Sequence, residues 1–497
     1  MSENYNNKRP VRTDGAQNGG AAPRRPANGQ EMRQRPRPRR DIPERTEVKR
    51  RPEEAAGAGR PRPPRRDGAG RPGSLTPRRD LPERRRGGSM IPSDHKNTGL
   101  IEKMKGNLLA RKEEKDEKWD SEAIERQRHG VDRPMLIIIL ILIALGTVMV
   151  FSASYPSALK EKGDSYYYIR NQLLWVTLGG IAMTVLTLLP YRLIKALAPA
   201  AAIISVVLLV LVLVIGTARG VAQRWLYLGF VSFQPSEFAK AALILFLAFY
   251  IDKHYEITSK GLDKKKTFWH GIAVPGIIVA VFCGLVLLER HLSGTIILAL
   301  IGMAIIFMSG ADIVKMLLTY GVPAAAVGLI YLFTNEYALK RILTHGDENA
   351  DVLGEAWQTT QGLYAIGSGG LLGMGIGDSN LKFNYVSEAH NDFIFTIWCE
   401  ELGLVGAILL IILYGFFVWR GITIARKAPD TYSSLAAFGI TFQVGIQATL
   451  NIMVVTDLIP NTGVSLPFFS YGGTSLIILM AEMGILLAIS KHSYQKK

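Results

Sequence analysis

The stretch Tyr337 to Cys399, YALKRILTHGDENADVLGEAWQTTQGLYAIGSGGLLGMGIGDSNLKFNYVSEAHNDFIFTIWC, lies between two long apolar runs and is the only long polar connection in an otherwise hydrophobic region. Connections of that length without structure of their own are usually functional or disordered. Disorder fits this one poorly. Trp357, Tyr364, Phe383, Tyr385 and Phe393 are interleaved with Gly367, Gly369, Gly370, Gly373, Gly375 and Gly377, the mixture of aromatic anchors and tight turns found in ordered surface loops. The stretch reads as the working face of a membrane protein.

On either side, the hydrophobic residues gather into runs of about 18 to 25, the length that crosses a bilayer core. The pattern predicts an all-α polytopic membrane protein with ten transmembrane helices, at about 134–154, 171–190, 193–216, 234–251, 271–288, 294–310, 313–334, 391–419, 432–456 and 466–490. Basic residues in the short loops set the orientation. Arg192, Lys195, Lys253, Lys260, Lys264 to Lys266, Arg420, Arg426, Lys427, Lys491, Lys496 and Lys497 fall on one side, which is therefore the cytoplasm. Both termini are then cytoplasmic, and the large loop, 335–390 between helices 7 and 8, is extracytoplasmic. No nucleotide is available there, so any chemistry must use a substrate that arrives already activated.

The net charge of +16 belongs mostly to the N-terminus, where residues 1–90 hold 24 Lys and Arg against 11 Asp and Glu. Residues 1–98 are rich in Arg, Pro and Gly with almost no aromatic or branched apolar residue, a composition too polar to fold alone. On a membrane protein such a tail is expected to be drawn to anionic lipids and held in the cytoplasm; docking of a partner is the alternative, and no nucleic acid is expected. Residues 99–133 are juxtamembrane, with Leu100, Ile101, Met104, Leu108 and Leu109 at roughly helical spacing beside basic residues, a pattern for a short helix on the inner surface. Residues 134–490 form the membrane domain and 491–497 a cytoplasmic end. The first 30 residues are polar, so the first spanning helix is expected to act as the insertion signal. Cys283 and Cys399, the only two cysteines, sit in apolar segments and give neither a disulfide framework nor a thiolate metal site.

Ionisable groups inside spanning helices are costly and are functional candidates by default. Glu237 and Lys240, three residues apart in SFQPSEFAKAAL, share a helix face and can neutralise each other. A structural ion pair is the plainer account of them. Of the adjacent Glu400 and Glu401, about 100° apart on a helix, at most one is expected to face a cavity while the other caps or pairs. Glu482 is expected to be paired or hydrogen-bonded. Glu388, His390 and Asp392 crowd the start of the eighth span; Asp392 is equally well placed as a helix cap, and no regular ligand spacing supports a metal site. Arg224 and Trp225 occupy an outward loop, where Arg can grip phosphate oxygens in bidentate fashion or snorkel at the interface, and Trp suits the bilayer boundary.

Four blocks carry a family resemblance: GVAQRWLYLGFVSFQPSEFAK from Gly220, VMVFSAS at 148–154, SEAHNDFIFTIWCEELGLVG at 387–406 and NIMVVTDLIPNTGVSLPFFSYGGTSL at 451–476. In this order they resemble the SEDS family (shape, elongation, division and sporulation), over about 134–490. The run Gly375 to Lys382 looks more like the division and sporulation branch (FtsW, SpoVE) than the elongation branch (RodA). The resemblance implies polymerisation of lipid II, a disaccharide-pentapeptide on undecaprenyl diphosphate, by an inverting peptidoglycan glycosyltransferase at the outer face of the bacterial cytoplasmic membrane. It implies a partner, a class B penicillin-binding protein transpeptidase, among other divisome proteins. It also implies that the catalytic acid is Asp351, in DVLGEAWQ, with Asp347 as the alternative if the alignment shifts. On this reading Arg224, Lys240, Glu237, Trp225, Gln358 and His390 are substrate-binding residues for lipid II or its diphosphate, and a divalent cation (Mg or Mn) is a helper.

The chain departs from the family pattern at two places. ERHLSGT, Glu289 to Thr295, stands where the family has a Pro-Asp-Leu-Gly-Thr type run, so His291 takes part of the space of an acid. Ser387 stands where Pro is common. Two rival readings use the same ten helices: a lipid II flippase, which buried acids and Gly-broken helices would suit, and a scaffold that only recruits the transpeptidase.

Overall fold

The computed structural model describes residues 130–492 except 220–221, 229–230, 261–262, 335–338, 340–356 and 384. The N-terminal tail, residues 99–129 of the juxtamembrane segment, Asp347 and Asp351 lie outside the described residues. The helices are α1 (Arg133–Lys162), α2 (Tyr167–Leu188), α3 (Tyr191–Ile215), α4 (Pro235–Lys253), the short α5 (Tyr255–Lys260), α6 (Lys264–Leu288), α7 (Leu292–Met308), α8 (Ile313–Thr334), α9 (Trp357–Ser368), α10 (Ile394–Arg426), α11 (Thr431–Val455) and α12 (Gly473–Ser490). Eight of these, α1, α2, α3, α6, α8, α10, α11 and α12, are long and apolar enough to cross a membrane, and α7 is a shorter apolar helix. An apolar run in lipid has no water to satisfy its backbone, so the helix, which pairs its own N–H and C=O groups, is the form available to it.

The core is made by α4, α10, α11 and α12, and α11 and α12 are mostly buried. Almost no residue of α8 is buried, and its apolar side chains face outward. Two ionic clasps close the end of the bundle that carries the basic loops. Arg420 grips Asp132 through Nε and Nη2 at 2.7–3.1 Å, while Asp132 also caps α1 by accepting from the Met135 amide. Lys195 meets Asp252 at 2.6 Å and Asp430 at 3.6 Å, and Asp430 caps α11.

The expectation of purely helical structure needs correcting between α3 and α4. Three short antiparallel strands lie there, β1 (Thr217–Arg219), β2 (Ala222–Leu228) and β3 (Val231–Phe233), in the order β1-β2-β3, with Leu226 opposite Phe233. The large loop also holds α9, which aromatic and glycine content alone did not announce. The eighth span begins at Ile394 without a side-chain cap, so Asp392 is not its cap.

That span is not continuous. At Gly403 (φ 65°, ψ −165°) α10 is broken, and the glycine-rich chain after α9 is spliced into the break. The Leu404 and Val405 amides donate to the carbonyls of Gly370 and Leu371, and the Met374 and Gly375 amides donate to the carbonyls of Glu400 and Glu401, all at 2.9–3.1 Å. The two backbones touch: a Cβ on Gly403 would lie 2.4 Å from the Gly373 nitrogen and 2.6 Å from the Leu371 carbonyl oxygen. Strain at a left-handed residue and overpacking against backbone add, so Gly403→Ala is expected to destabilise the folded protein by about 3 kcal/mol or more. Gly415→Ala, on the same helix with open space around it, is expected to be neutral or slightly stabilising. Thermal melts of the two purified variants check the contrast.

Candidate functional site

A cavity of about 900 Å³ opens where the segments around 161–171, 224–240, 291–297, 388–392 and 463–475 converge. These are the connections that the charge pattern assigned to a single side of the membrane. Arg224, Trp225, Glu237, Lys240 and His390 all line it. Gln358 is not among its lining residues. Its Nε2 donates to the Ser387 carbonyl and its Oε1 accepts from Asn461, both at 3.2 Å, so it braces the start of α9 against the loop exit.

One wall is built by the turn from β3 into α4. Gln234 ends the strand and Pro235 opens the helix, a position where a missing N–H costs nothing. Ser236, Glu237 and Lys240 follow on the first turns, with Glu237 near the positive end of the helix. Lys240 lies 2.9 Å from Glu237 and donates to Gln447 of α11 at 3.2 Å. Lys240 is 3% exposed and Glu237 16%, so the pair lines the cavity from a desolvated position. Arg224 Nη2 donates to the carbonyl of Arg290, itself held in a left-handed conformation at φ 57°.

His291 lies with Nδ1 3.2 Å from Ser236 Oγ, and burial, followed by the nearby Arg224 and Lys240 charges, pulls its pKa down to about 3. It is a neutral imidazole. Glu289 is buried, neither carboxyl oxygen has a hydrogen-bond partner among the described residues, and burial pushes its pKa up to about 8 against the pull of Arg224. Near pH 7 Glu289 is therefore mainly protonated.

The opposite wall is aromatic. The His390 ring lies 4.5 Å from that of Tyr168 and 5.9 Å from that of Tyr471, and its Nδ1 has no hydrogen-bond partner among the described residues. Burial lowers its pKa, opposed by Glu388 and Glu161. Glu161, Tyr168, Trp175, Gln447 and Tyr471 are lining residues that sequence reasoning missed; the Tyr166–Tyr168 run in an outward loop was the one signal available. Among the described residues no group of three or more His, Cys, Asp or Glu side chains is placed to hold a metal.

Three expectations about buried acids are resolved. Glu482 accepts from Gln443 at 2.8 Å. Neither Glu400 nor Glu401 lines the cavity; both are completely buried and hold the spliced loop. Ser379 Oγ and the amides of Asn380 and Leu381 donate to Glu400, while Lys382 pairs with Glu401 at 3.0 Å.

A bundle of long apolar helices with a polar cavity at the end where its loops converge defines a polytopic membrane protein with an ionisable site at the bilayer boundary. Residues 133–495 match the family model described as cell cycle protein, FtsW/RodA/SpoVE. The chain is 39% identical to stage V sporulation protein E of Bacillus subtilis (strain 168), across 73% of this chain and 97% of that one. It is 35% identical to the probable peptidoglycan glycosyltransferase FtsW of Geobacter sp. (strain M18), across 73% and 98%. Among solved structures it is similar to a chain in a peptidoglycan synthase complex that coordinates polymerization and crosslinking (TM-score 0.59, 27% identity, covering 74% and 99%). It is also similar to the rod shape determining protein RodA of Thermus thermophilus (TM-score 0.54, 28% identity, covering 74% and 98%). The chain belongs to the FtsW/RodA/SpoVE family.

Because the folded pKa of Glu289 is raised from 4.5 to about 8, its contribution to stability is fully present below the lower value and is lost as pH rises through the higher one. The melting temperature is expected to fall across that window. Glu289→Gln, uncharged throughout, should flatten the fall and melt a few degrees above the parent at pH 8, as a pH series of thermal melts will show.

Proposed function

We propose that this chain is a peptidoglycan glycosyltransferase that polymerises lipid II into glycan strands at the outer face of the bacterial cytoplasmic membrane, in division or sporulation. In this reading α4 and α7 complete ten crossings, both termini are cytoplasmic, and the cavity opens outward. A class B penicillin-binding protein crosslinks the product, and other divisome proteins and anionic lipids at the N-terminal tail complete its surroundings.

The observation that carries the reading is the charge arrangement of the cavity in a chain of this family. Arg224 and Lys240 line the cavity beside a neutral His291 and a mainly protonated Glu289, so a guanidinium and an ammonium border the space where a diphosphate would lie. Guanidinium and ammonium groups in a desolvated site stabilise a leaving diphosphate far better than they would in water. A divalent cation, Mg or Mn, would add charge neutralisation when it arrives with the substrate. The relatives named as peptidoglycan glycosyltransferases support the same reaction.

Asp351 takes the proton of the acceptor hydroxyl as that oxygen bonds to the anomeric carbon. The bond to the diphosphate breaks with its electron pair, and a single displacement inverts the carbon. A carboxylate is a weak base for a resting sugar hydroxyl, but the hydroxyl acidifies in the transition state, where positioned proton transfer contributes about a hundredfold or more. Trp225, Glu237 and His390 shape the sugar-binding surface, and Gln358 braces the segment next to Asp351.

The test is gel-resolved polymerisation of lipid II by the purified protein, with and without its transpeptidase partner. Asp351→Asn is expected to lower the rate by about a hundredfold or more while membrane insertion and thermal melt stay parental. Continued lengthening of glycan by that variant would remove Asp351 from the mechanism. A flippase would instead tolerate the change at Asp351 and keep moving lipid II across the membrane.

A further inference from the structure

Burying two opposite charges away from water is expensive, and an apolar pair of similar volume often gives equal or greater stability. The Lys382–Glu401 pair, 3% and 0% exposed, is such a burial, and it lies outside the cavity. Lys382 Nζ uses all three of its donors, on Glu401 Oε1 at 3.0 Å, the Gly377 carbonyl at 2.6 Å and Ser152 Oγ of α1 at 3.1 Å. Ser152 in turn donates to Glu401 at 2.5 Å. Three parts of the chain meet at this point: α1, the spliced loop and the break in α10.

The two ends of the loop explain what the meeting point controls. Upstream, the splice begins at Gly369, where a Cβ would lie 2.0 Å from the Cys399 carbonyl oxygen, directly after α9. α9 starts six residues beyond Asp351. Downstream, Val386 donates to the Leu381 carbonyl, and Glu388, His390, Asn391 and Asp392 then form cavity wall. Fixing Lys382 therefore fixes both the helix that follows the catalytic segment and the wall facing Arg224 and Lys240.

The geometry points to Lys382, Glu401 and Ser152 as positioning residues: their buried network holds α9 and residues 385–392 in the register that the reaction requires, without touching substrate. This rests on the function proposed above. It separates these residues from Glu237 and Lys240, whose charges reach the cavity. The network acts on placement and touches no substrate, so its loss should slow turnover far more than it weakens binding through His390.

The experiment compares the full-length parent with Lys382→Met/Glu401→Met, Ser152→Ala and, as a control, Asp132→Asn, which weakens the clasp at the other end of α1. Each is measured for thermal melt, for hydrogen exchange of peptides covering 357–368 and 385–392, and for kcat and KM on lipid II. The double variant removes both charges together and is expected to fold. Its kcat should fall about tenfold or more with KM within about twofold, and Ser152→Ala should lose about threefold in kcat. Exchange should quicken in the 357–368 and 385–392 peptides and stay parental in α11. Asp132→Asn should melt lower and keep its kcat.

Parental kcat and parental exchange in any folded network variant would overturn the assignment. So would a change confined to KM, or an equal loss of kcat in Asp132→Asn. If the double variant does not fold, Ser152→Ala decides by the same criteria. A parent that fails to polymerise lipid II would count against the proposed function alone, and the exchange measurements would still decide whether the network holds these segments.

Discussion

Inside a bilayer a broken helix must find new partners for the backbone groups it frees, and this constraint organises the molecule at Gly403. The four groups released there, two carbonyls and two amides, are taken up by one foreign strand of chain, Gly370 to Gly375. Non-helical backbone at membrane depth is tolerated where protein covers it, and here the cover is the loop itself. The glycine-rich run after α9 is therefore a fitted part of α10. Gly373 and Gly403 are needed because side chains there would collide with the opposite backbone. The loop and the eighth span fold as one unit.

From that unit the cavity inherits its shape. The exit of the loop becomes one wall, ending at His390 against the Tyr168 ring, which in turn meets Tyr471, and the strand-to-helix turn at Gln234 to Lys240 becomes another. Charge is distributed unevenly between them. Lys240 is tied to Glu237 and Gln447, so it is held in place without being removed from the cavity. Glu289 is buried deeply enough to stay mainly protonated near neutrality, and His291 beside Ser236 is a neutral imidazole. The wall presents a guanidinium and an ammonium, groups that recognise a phosphorylated ligand.

How much of this was legible in the sequence depended on which physical signal each part leaves. Apolar runs of membrane length are unambiguous, and the helices lie close to where the runs placed them; α8 matches at both ends. The β1–β3 sheet was missed because its strands are three to seven residues long and sit in a loop whose aromatic residues read equally well as interfacial anchors. α9 was missed because WQTTQGLYAIGS has mixed polarity and two glycines, a weak helical pattern that only packing on α10 rescues. The convergence of Arg224, Lys240 and His390 was legible as chemistry through the family resemblance; their shared cavity is a tertiary fact. Asp351 was reached by resemblance alone, since an acid in a polar loop leaves no periodicity or partner to read.

Gln358, Glu400 and Glu401 show where the sequence argument stopped short. An ionisable residue in a spanning segment is rightly a functional candidate, but that rule does not say which function. Glu237 and Lys240 pair within one helix at the cavity edge, and both side chains still line the cavity. Glu400 and Glu401 are spent on hydroxyls, amides and an ammonium from other segments, so their charges hold the chain together. The distinction follows from the partners. A carboxylate that accepts several hydrogen bonds from a distant stretch of backbone is satisfied before any substrate arrives, and its burial is intelligible only if the placement of that stretch matters. The adjacent acids of CEELG thus locate the anchorage of the loop, the point where α1, the glycine-rich chain and the break in α10 are tied together.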